Sequence, residues 1–253
     1  FMKTNEMTIE QRLDFIASLE LPEVSADMEA VERAPVSEGK PSAVIDASEL
    51  ITFEEGLPEQ HRKDVENSCC LAQLAANKKY DRERDVENWY KYYVEVLQNI
   101  GWMTTAFHFT KYDAKTSSFS FDLILLNLLS TICSPTALAL ISRAIEAYRK
   151  LAESDFKVRL FESQSHSAQS GNFQVGNARN ESGDVALTNE AAYFSSEVHV
   201  TRLFFTKFSS SQTKLYTSDM RFVLSEDIYA QVREQVIKKL GRHAKEFIAD
   251  LEI

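Results

Sequence analysis

Residues 123–141, LILLNLLSTICSPTALALI, form the most apolar stretch of the chain and contain no charged side chain. Ser134 followed by Pro135 is typical of a helix start, because serine caps free backbone N–H groups and proline fits the first helical position. The stretch therefore predicts two helices, 122–132 and 135–153, that form an apolar helical hairpin. Such a hairpin decides the fold, since it has to be buried against another layer of structure.

The same stretch leaves a membrane alternative open. Its nineteen uncharged residues are just long enough to span a bilayer. Asn127, Ser130 and the interrupting Pro135 favour instead a hairpin buried in a water-soluble protein. A third possibility is conditional insertion, as in pore-forming toxins, for which the polar β region predicted at 163–195 would also be suited.

The sequence after the hairpin predicts mainly β-structure. Residues 156–161 alternate between polar and apolar side chains and are predicted as a strand. Ser225 is predicted to begin the last helix, 226–251, in which Gly241 weakens the helical pattern. Further strands are predicted at 172–178, 184–195, 197–208 and 213–224.

Two amphipathic helices are predicted before the hairpin, at 67–79 and 81–100. A pair of strands is predicted between them and the apolar stretch, at 102–112 and 117–121. Aromatic side chains cover more of the second helix than one core-facing stripe requires. We interpret them either as buried on two sides or as an interaction surface for a partner: Trp89, Tyr90, Tyr92 and Tyr93.

The beginning of the chain differs from the rest in composition. Residues 8–20 predict a short amphipathic helix. Residues 20–66 contain four of the five prolines, with thirteen acidic and four basic side chains, so they carry −9 of the net charge of −10. We predict an acidic, partly extended N-terminal arm, 1–66, attached to a single domain, 67–253. Because helices and strands segregate along that domain, the fold class is predicted as α+β, with a helical layer packed on an antiparallel sheet.

The composition argues against several classes of function. The chain has seven glycines, and the pair in GNFQVG (171–176) is not followed by Lys-Ser/Thr, so we predict no nucleotide or other cofactor. The acidic balance and the lack of a basic stripe argue against nucleic-acid binding. The five histidines and three cysteines show no metal-ligand spacing, so no metal site is predicted.

Scattered residues are all that the sequence offers for an enzyme site. His108 and His199 lie in strand-like runs, where a hydrogen-bonded sheet histidine is the usual role. Glu162 flanks an apolar run, and Arg202 follows His199 closely. If their strands share one sheet, these four residues could form a catalytic or ligand-binding site. The lack of a catalytic motif favours a protein that is not an enzyme.

Three functions are left as hypotheses. The first is non-catalytic interaction or self-assembly, with a protein partner or with further copies of the chain. The second is membrane activity like that of a pore-forming toxin or virulence factor, with the membrane as a conditional partner. The third is an enzyme or small-ligand binder. No signal-peptide pattern is visible, which favours a cytoplasmic location, with non-classical export as an alternative.

Overall fold

A computed structural model describes residues 7–23, 39–105 and 107–253. These residues form an α+β fold in which helices pack on a mostly antiparallel sheet, so the predicted fold class is confirmed. The helices are α1 (Ile9–Ser18), α2 (Glu59–Lys79), α3 (Val86–Asn99), α4 (Phe121–Leu129), α5 (Pro135–Lys150), α6 (Phe156–Ser165), α7 (Glu226–Leu240) and α8 (His243–Phe247). The strands are β1 (Ser42–Asp46), β2 (Glu49–Phe53), β3 (Trp102–Thr104), β4 (Thr110–Tyr112), β5 (Ser118–Phe119), β6 (Ser170–Glu181), β7 (Asp184–Ser196), β8 (Phe208–Ser209), β9 (Thr213–Leu224) and β10 (Ile248–Leu251).

The main sheet has the strand order β10-β1-β2-β6-β7-β9-β3, and β4 also pairs along β9. β2 and β6 are parallel, whereas the other neighbours are antiparallel. β5 and β8 pair separately as a small second sheet. The main sheet therefore joins strands from the beginning, the middle and the end of the chain.

Three neighbouring strands dominate this sheet, because β6, β7 and β9 contain 12, 13 and 12 residues. Ser182 and Gly183 join β6 to β7 in a two-residue turn, and both have positive φ, which suits the twist of paired strands. β7 and β9 pair over twelve residues, from Val185 with Leu224 to Ser196 with Thr213. We refer to this pair as the β7–β9 hairpin.

The strand register divides the side chains into two faces, since successive residues of a strand point to opposite sides. The first face carries Phe222 and is covered by α3, whose Tyr93 ring lies 6.4 Å from that of Phe222. The second face carries Phe194, which lies 4.8 Å from the ring of Phe121 in α4. α2 packs with α3 on the first side, and α5 and α6 pack with α4 on the second. The sheet thus lies between two helical layers.

The apolar stretch forms two helices, α4 and α5, as predicted. Ser134 caps α5 by accepting a backbone N–H hydrogen bond at 3.1 Å, and Pro135 is the first residue of that helix. Phe121 is fully buried, while Leu123 is 67% exposed. Within the described ranges, no helix combines the length and the apolar character needed to cross a membrane.

Part of the predicted N-terminal arm, 42–53, is extended but lies in the main sheet, where it pairs with strands of the predicted 67–253 domain. β1 and β2 pair with β10 and β6, and Leu50 is fully buried. Residues 59–66 belong to α2. These strands are hard to predict from the sequence, because each has only five residues and lies among acidic residues. The predicted helix at 8–20 corresponds to α1, whereas 1–6 and 24–38 lie outside the described residues.

The prediction of a strand at 156–161 was wrong, because these residues begin α6. Asp155 caps this helix by accepting a hydrogen bond from the Lys157 N–H at 2.8 Å. Val158 and Phe161 are buried at helical spacing. Six alternating residues fit this spacing as well as they fit a strand.

Other predicted elements differ in extent or pairing. The predicted helix 226–251 is divided into α7, α8 and β10, because Gly241 has a φ of +50° and ends α7. β3 and β4 each pair with β9 rather than with the 117–121 run. Residues 197–208 form a loop up to Phe208, which begins β8.

Candidate functional site

The β7–β9 hairpin has one mostly apolar face. Ten positions along the first face include one asparagine and one serine, and the others are apolar or tyrosine. They are Val185, Leu187, Asn189, Ala191 and Tyr193 in β7, and Tyr216, Ser218, Met220, Phe222 and Leu224 in β9. Because α3 and the β3–β4 loop cover this face, it is part of the protein core.

The second face of the hairpin is polar along its middle. Thr188 lies opposite Arg221, and Glu190 lies opposite Asp219. Thr188 and Glu190 are each 3% exposed, whereas Asp219 and Arg221 are exposed. The face becomes apolar towards the connecting loop, with Phe194 and Leu215.

Glu190 is a buried acid that lies beside a second acid. Burial raises the pKa of Glu190 to about 8, and the neighbouring carboxylate of Asp219 adds to the rise. A hydrogen bond from Thr217 acts in the opposite direction. Glu190 is therefore mainly protonated at neutral pH and ionises under alkaline conditions.

A second buried acid, Glu49 of β2, lies on the first face of the sheet. Burial raises the pKa of Glu49 to about 7. Asn189 donates a hydrogen bond to its Oε1 at 2.5 Å, and the Tyr93 hydroxyl donates to Oε2 at 3.4 Å. Gly176 makes this arrangement possible, because a methyl group there would lie 1.9 Å from Asn189 Oδ1. One carboxyl group thus links β2, β7 and α3.

Cys69 adjoins this acid but is not arranged as a nucleophile. Its sulfur lies 3.6 Å from the Tyr93 hydroxyl, which has one proton for Glu49 and Cys69. Burial and the neighbouring Glu49 raise the pKa of the thiol. A reactive cysteine needs an accessible thiolate, whereas Cys69 is 0% exposed. We interpret this group as a buried polar cluster rather than an active site.

The loop from β7 to β9, residues 197–212, contains a hydrogen-bonded turn. The N–H groups of Phe205 and Thr206 both donate to the carbonyl oxygen of Arg202, at 3.1 and 3.0 Å. The turn is anchored, because the Leu203 N–H donates to the Glu162 carboxylate at 2.8 Å and the Leu203 side chain is fully buried. Phe205, in contrast, is 42% exposed.

Phe205 lies between two guanidinium groups. Arg202 is 4.0 Å and Arg149 of α5 is 5.1 Å from the centre of its ring. Arg149 also donates to the buried carboxylate of Asp122 at 2.8 Å, and Leu123 is the next residue of α4. Four large apolar side chains are exposed among the described residues, and two of them, Leu123 and Phe205, belong here. We refer to Leu123, Arg149, Arg202 and Phe205 as the contact surface.

The structure brings together two of the four residues predicted for an enzyme site, Glu162 and Arg202. Glu162 lies on α6, and its Oε1 accepts a hydrogen bond from the Tyr148 hydroxyl at 2.5 Å. Its Oε2 accepts from His166 Nε2 at 2.7 Å and from the Leu203 N–H at 2.8 Å. These bonds engage both oxygens, so Glu162 is not arranged to take a proton from a substrate.

His108 and His199 lie apart from that pair, in loops rather than in the strands that the sequence predicts. His199 is exposed in the β7–β9 loop. His108 is exposed in the β3–β4 loop and lines a groove of about 450 Å³ beside α3, together with Lys91 and Phe109. The structure therefore gives no single site that contains all four predicted residues.

The predicted aromatic interaction surface is mostly buried. Trp89, Tyr90 and Tyr93 are 0% exposed, so they build the core between α3 and the sheet. Tyr92 is partly exposed, and the Lys79 ammonium group lies 3.7 Å from the centre of its ring. Of the four rings, Tyr92 alone is accessible to a partner.

One group in the described part of the chain has the composition of a metal site. His61, Asp64 and Glu226 each place a ligand atom within 4.8 Å of the others. Arg233 already donates two hydrogen bonds of 2.8 Å to Asp64 and one of 2.7 Å to Glu226. Because a cation would have to displace this guanidinium group, we interpret the cluster as an ion-pair network that joins α7 to α2.

No sequence pattern identifies the buried acids of the sheet or the exposed aromatic residue of the β7–β9 loop. Glu190 and Glu49 are ordinary acids in sequence, and their pKa values follow from burial in the fold. Phe205 falls within a run that resembles a strand. The strands predicted at 184–195 and 213–224 correspond to β7 and β9.

Comparison with known proteins finds remote structural similarity. No protein-family model matches the sequence, and no curated protein matches it. A solved structure named "DELTA-ENDOTOXIN" aligns with 80% of this chain and 91% of its own, at 12% identity and a TM-score of 0.43. The Evf virulence factor aligns with 96% of this chain and 91% of its own, at 8% identity and a TM-score of 0.36. Similarities of this size do not establish a shared fold or activity.

Proposed function

We propose that the protein acts on membranes as a pore-forming protein held in a water-soluble form, and that the β7–β9 hairpin enters the bilayer. The observation that carries the proposal is the hairpin, which is paired over twelve residues, apolar on one face and polar along the middle of the other. A strand that lines a membrane pore needs such alternation, because lipid contacts one face and water the other.

The length of the hairpin fits a bilayer. At a rise of about 3.4 Å per residue, a strand of this length extends roughly 40 Å, and a tilt of about 45° projects it onto the roughly 30 Å of hydrocarbon. Strands of globular proteins usually have about 5 to 6 residues. β7 and β9 are about twice as long, and so is β6, so their length permits a membrane role without indicating one by itself.

The polar residues of the second face support the same function. Thr188 and Glu190 are buried in the soluble fold, where burial of polar groups costs free energy. In a pore, they would face water, while Phe222 and its neighbours on the first face would meet lipid. β6 does not share this alternation, since Asn172 and Gln174 lie on its first face, so the proposal is confined to the β7–β9 hairpin.

A single hairpin does not complete a pore. Its two unpaired edges would leave backbone N–H and C=O groups without partners in the hydrocarbon. A closed barrel requires hairpins from several copies of the chain. Self-assembly is therefore part of the proposed membrane activity rather than a separate function.

Insertion requires the two helical layers to separate from the hairpin. α3 covers the first face through Tyr93, and α4 covers the second through Phe121. The contact surface includes residues of the Arg202–Thr206 turn in the β7–β9 loop and of the first turn of α4. We propose that this end, with the exposed Leu123 and Phe205, reaches the membrane first.

Release of dye from liposomes tests this proposal. We expect the full chain to release dye from vesicles of phosphatidylcholine and phosphatidylglycerol, with a steeper than linear dependence on protein concentration, because several copies assemble. Small dyes should escape while large dextrans are retained, which separates a pore from general lysis. If folded protein releases no dye over a range of pH values and lipid compositions, the proposal is wrong.

A further inference from the structure

We infer that the contact surface binds the phosphate group of a phospholipid, with Arg149 and Arg202 as cationic donors and Phe205 as the side chain that enters the bilayer between them. This inference rests on the proposed membrane function, and it assigns the point of first attachment.

Arg202 has hydrogen-bonding capacity that the fold does not use. Its Nη1 donates to the Leu151 carbonyl oxygen at a long 3.5 Å. Among the described residues, its Nε and Nη2 make no hydrogen bond of good geometry, although both atoms are shielded from water and the Tyr148 hydroxyl lies nearby. Such unpaired donors cost free energy, because their bonds to water are lost and not replaced. An acceptor that reached them would recover this cost.

The two unused nitrogens form the side of the guanidinium group that suits an oxyanion with two oxygens. Arg233 in the same protein illustrates this geometry, because its Nε and Nη2 bind the two oxygens of Asp64 at 2.8 Å each. For Arg202, a phosphate can supply the same pair of oxygens. Its unused donors therefore define the chemistry of the ligand.

Phe205 lies on the Arg202 guanidinium group, so movement of the ring into a bilayer would expose that group. Its ring lies on the Arg202 guanidinium group at 4.0 Å and is 42% exposed to water. Transfer of the ring into hydrocarbon is favourable, because apolar surface leaves water. The same movement removes the ring from Arg202 and opens the guanidinium group to a headgroup phosphate.

The charge of the contact surface is suited to an anionic membrane, although the chain as a whole is acidic. Arg149 is 44% exposed, and its partner Asp122 is buried beneath it. The nearby Glu162 is turned inward and accepts three hydrogen bonds. Accessible positive charge beside exposed apolar side chains is typical of proteins that bind at the headgroup level.

A lipid explains this surface better than a free phosphate does. The two arginines alone would suit either ligand. Phe205, however, is an exposed apolar side chain on Arg202, and Leu123 is exposed on α4, next in sequence to the Arg149 partner Asp122. Such apolar side chains leave water only if the phosphate belongs to a bilayer with hydrocarbon beside it. We therefore assign the ligand to a bilayer.

Sedimentation with vesicles of phosphatidylcholine and phosphatidylglycerol measures binding to such a bilayer. We expect Arg202→Gln to lower the partition coefficient about fivefold, the usual effect of one basic residue at an anionic surface. Phe205→Ala should lower it at least about fivefold, because the apolar surface of the ring is no longer transferred from water to hydrocarbon. Arg159→Gln is the matched control, because Arg159 is an exposed arginine of the same helical layer, and it should change binding less than about twofold. Circular dichroism checks that each variant is folded, and Phe205→Ala tests the surface without a change of charge.

Each outcome decides the inference. Equal binding of the wild type, Arg202→Gln and Phe205→Ala overturns it, and so does an equal loss in Arg159→Gln, which would reduce the effect to net charge. If millimolar inorganic phosphate raises the melting temperature of the wild type but not of Arg202→Gln, while both bind vesicles alike, the site takes a free anion and the lipid assignment is wrong. If vesicle binding depends on Arg202 but no dye is released, the lipid-binding site is supported and the proposed pore is contradicted.

Discussion

The free energy of unfolding is expected to fall by several kcal/mol as the pH rises from about 5 to about 9, and Glu190→Gln should remove the larger part of this fall. Burial and Asp219 raise the pKa of Glu190 to about 8, and burial raises that of Glu49 to about 7. The unfolded chain keeps the ordinary carboxyl pKa of 4.5. Between these values the unfolded chain releases protons that the folded chain retains, so stability present at low pH is lost as the pH rises.

The size of the effect follows from the pKa differences. One pKa unit corresponds to about 1.4 kcal/mol, so the two acids account for about 3 to 5 kcal/mol each. Denaturant unfolding at a series of pH values measures the fall. Asp219→Asn should reduce it in part, because the like charge beside Glu190 is removed, whereas the exposed Glu234→Gln should leave it unchanged. Constant or rising stability of the wild type over this interval would contradict the protonation assigned to both acids.

This pH dependence has a consequence for the proposed function. Glu190 and Asp219 face each other across the β7–β9 hairpin. When both are ionised, the hairpin carries two like charges in the observed fold, and that of Glu190 is buried. Exposure to water in a pore would relieve this cost. Alkaline conditions should therefore favour release of the hairpin from its helical layers.

The second large effect concerns Leu123, which is 67% exposed on α4. Leu123→Glu is expected to slow dye release at least about tenfold, because a carboxylate costs several kcal/mol in the apolar region where leucine is favourable. The side chain is already exposed in the observed fold, so the replacement should leave the stability of that fold nearly unchanged. The initial rate of dye release at fixed protein concentration measures the effect.

Ile237→Glu is the matched control for this prediction. Ile237 is 48% exposed on α7 and therefore belongs to the other helical layer. We expect this variant to release dye within about twofold of the wild type, since α7 is not proposed to touch the membrane. Equal slowing in both variants, or no slowing in either, would show that the contact surface does not make the first contact.

The sequence was informative where a pattern was long. The apolar stretch with Ser134 and Pro135 predicts the α4–α5 hairpin correctly, because cap and proline fix the start of α5. The runs 184–195 and 213–224 are predicted as strands, and they form the two long strands that carry the proposal. Both patterns extend over about ten residues or more, so chance agreement with another structure is small.

The sequence was misleading where a pattern was short or where tertiary contacts decided the outcome. β1 and β2 have five residues each and lie in an acidic region, so their burial depends on pairing with β10 and β6. Six alternating residues at 156–161 suited a helix equally well. The contact surface was not predicted as one site, because Arg149 and Phe205 are 56 residues apart in sequence and meet only in the fold. Of its residues, Arg202 was a candidate from the sequence, for an enzyme or ligand-binding site.

Electrical conductance across a planar lipid bilayer tests the central claim most directly, because a strand-lined pore and a disrupted membrane give different currents. With the full chain on one side of a bilayer of phosphatidylcholine and phosphatidylglycerol, we expect discrete current steps of reproducible size that persist after the free protein is washed away. Leu123→Glu should lower the frequency of the steps without a change in their size. An unchanged bilayer, or irregular currents without a defined step, would contradict the assignment of the β7–β9 hairpin as a pore-forming element.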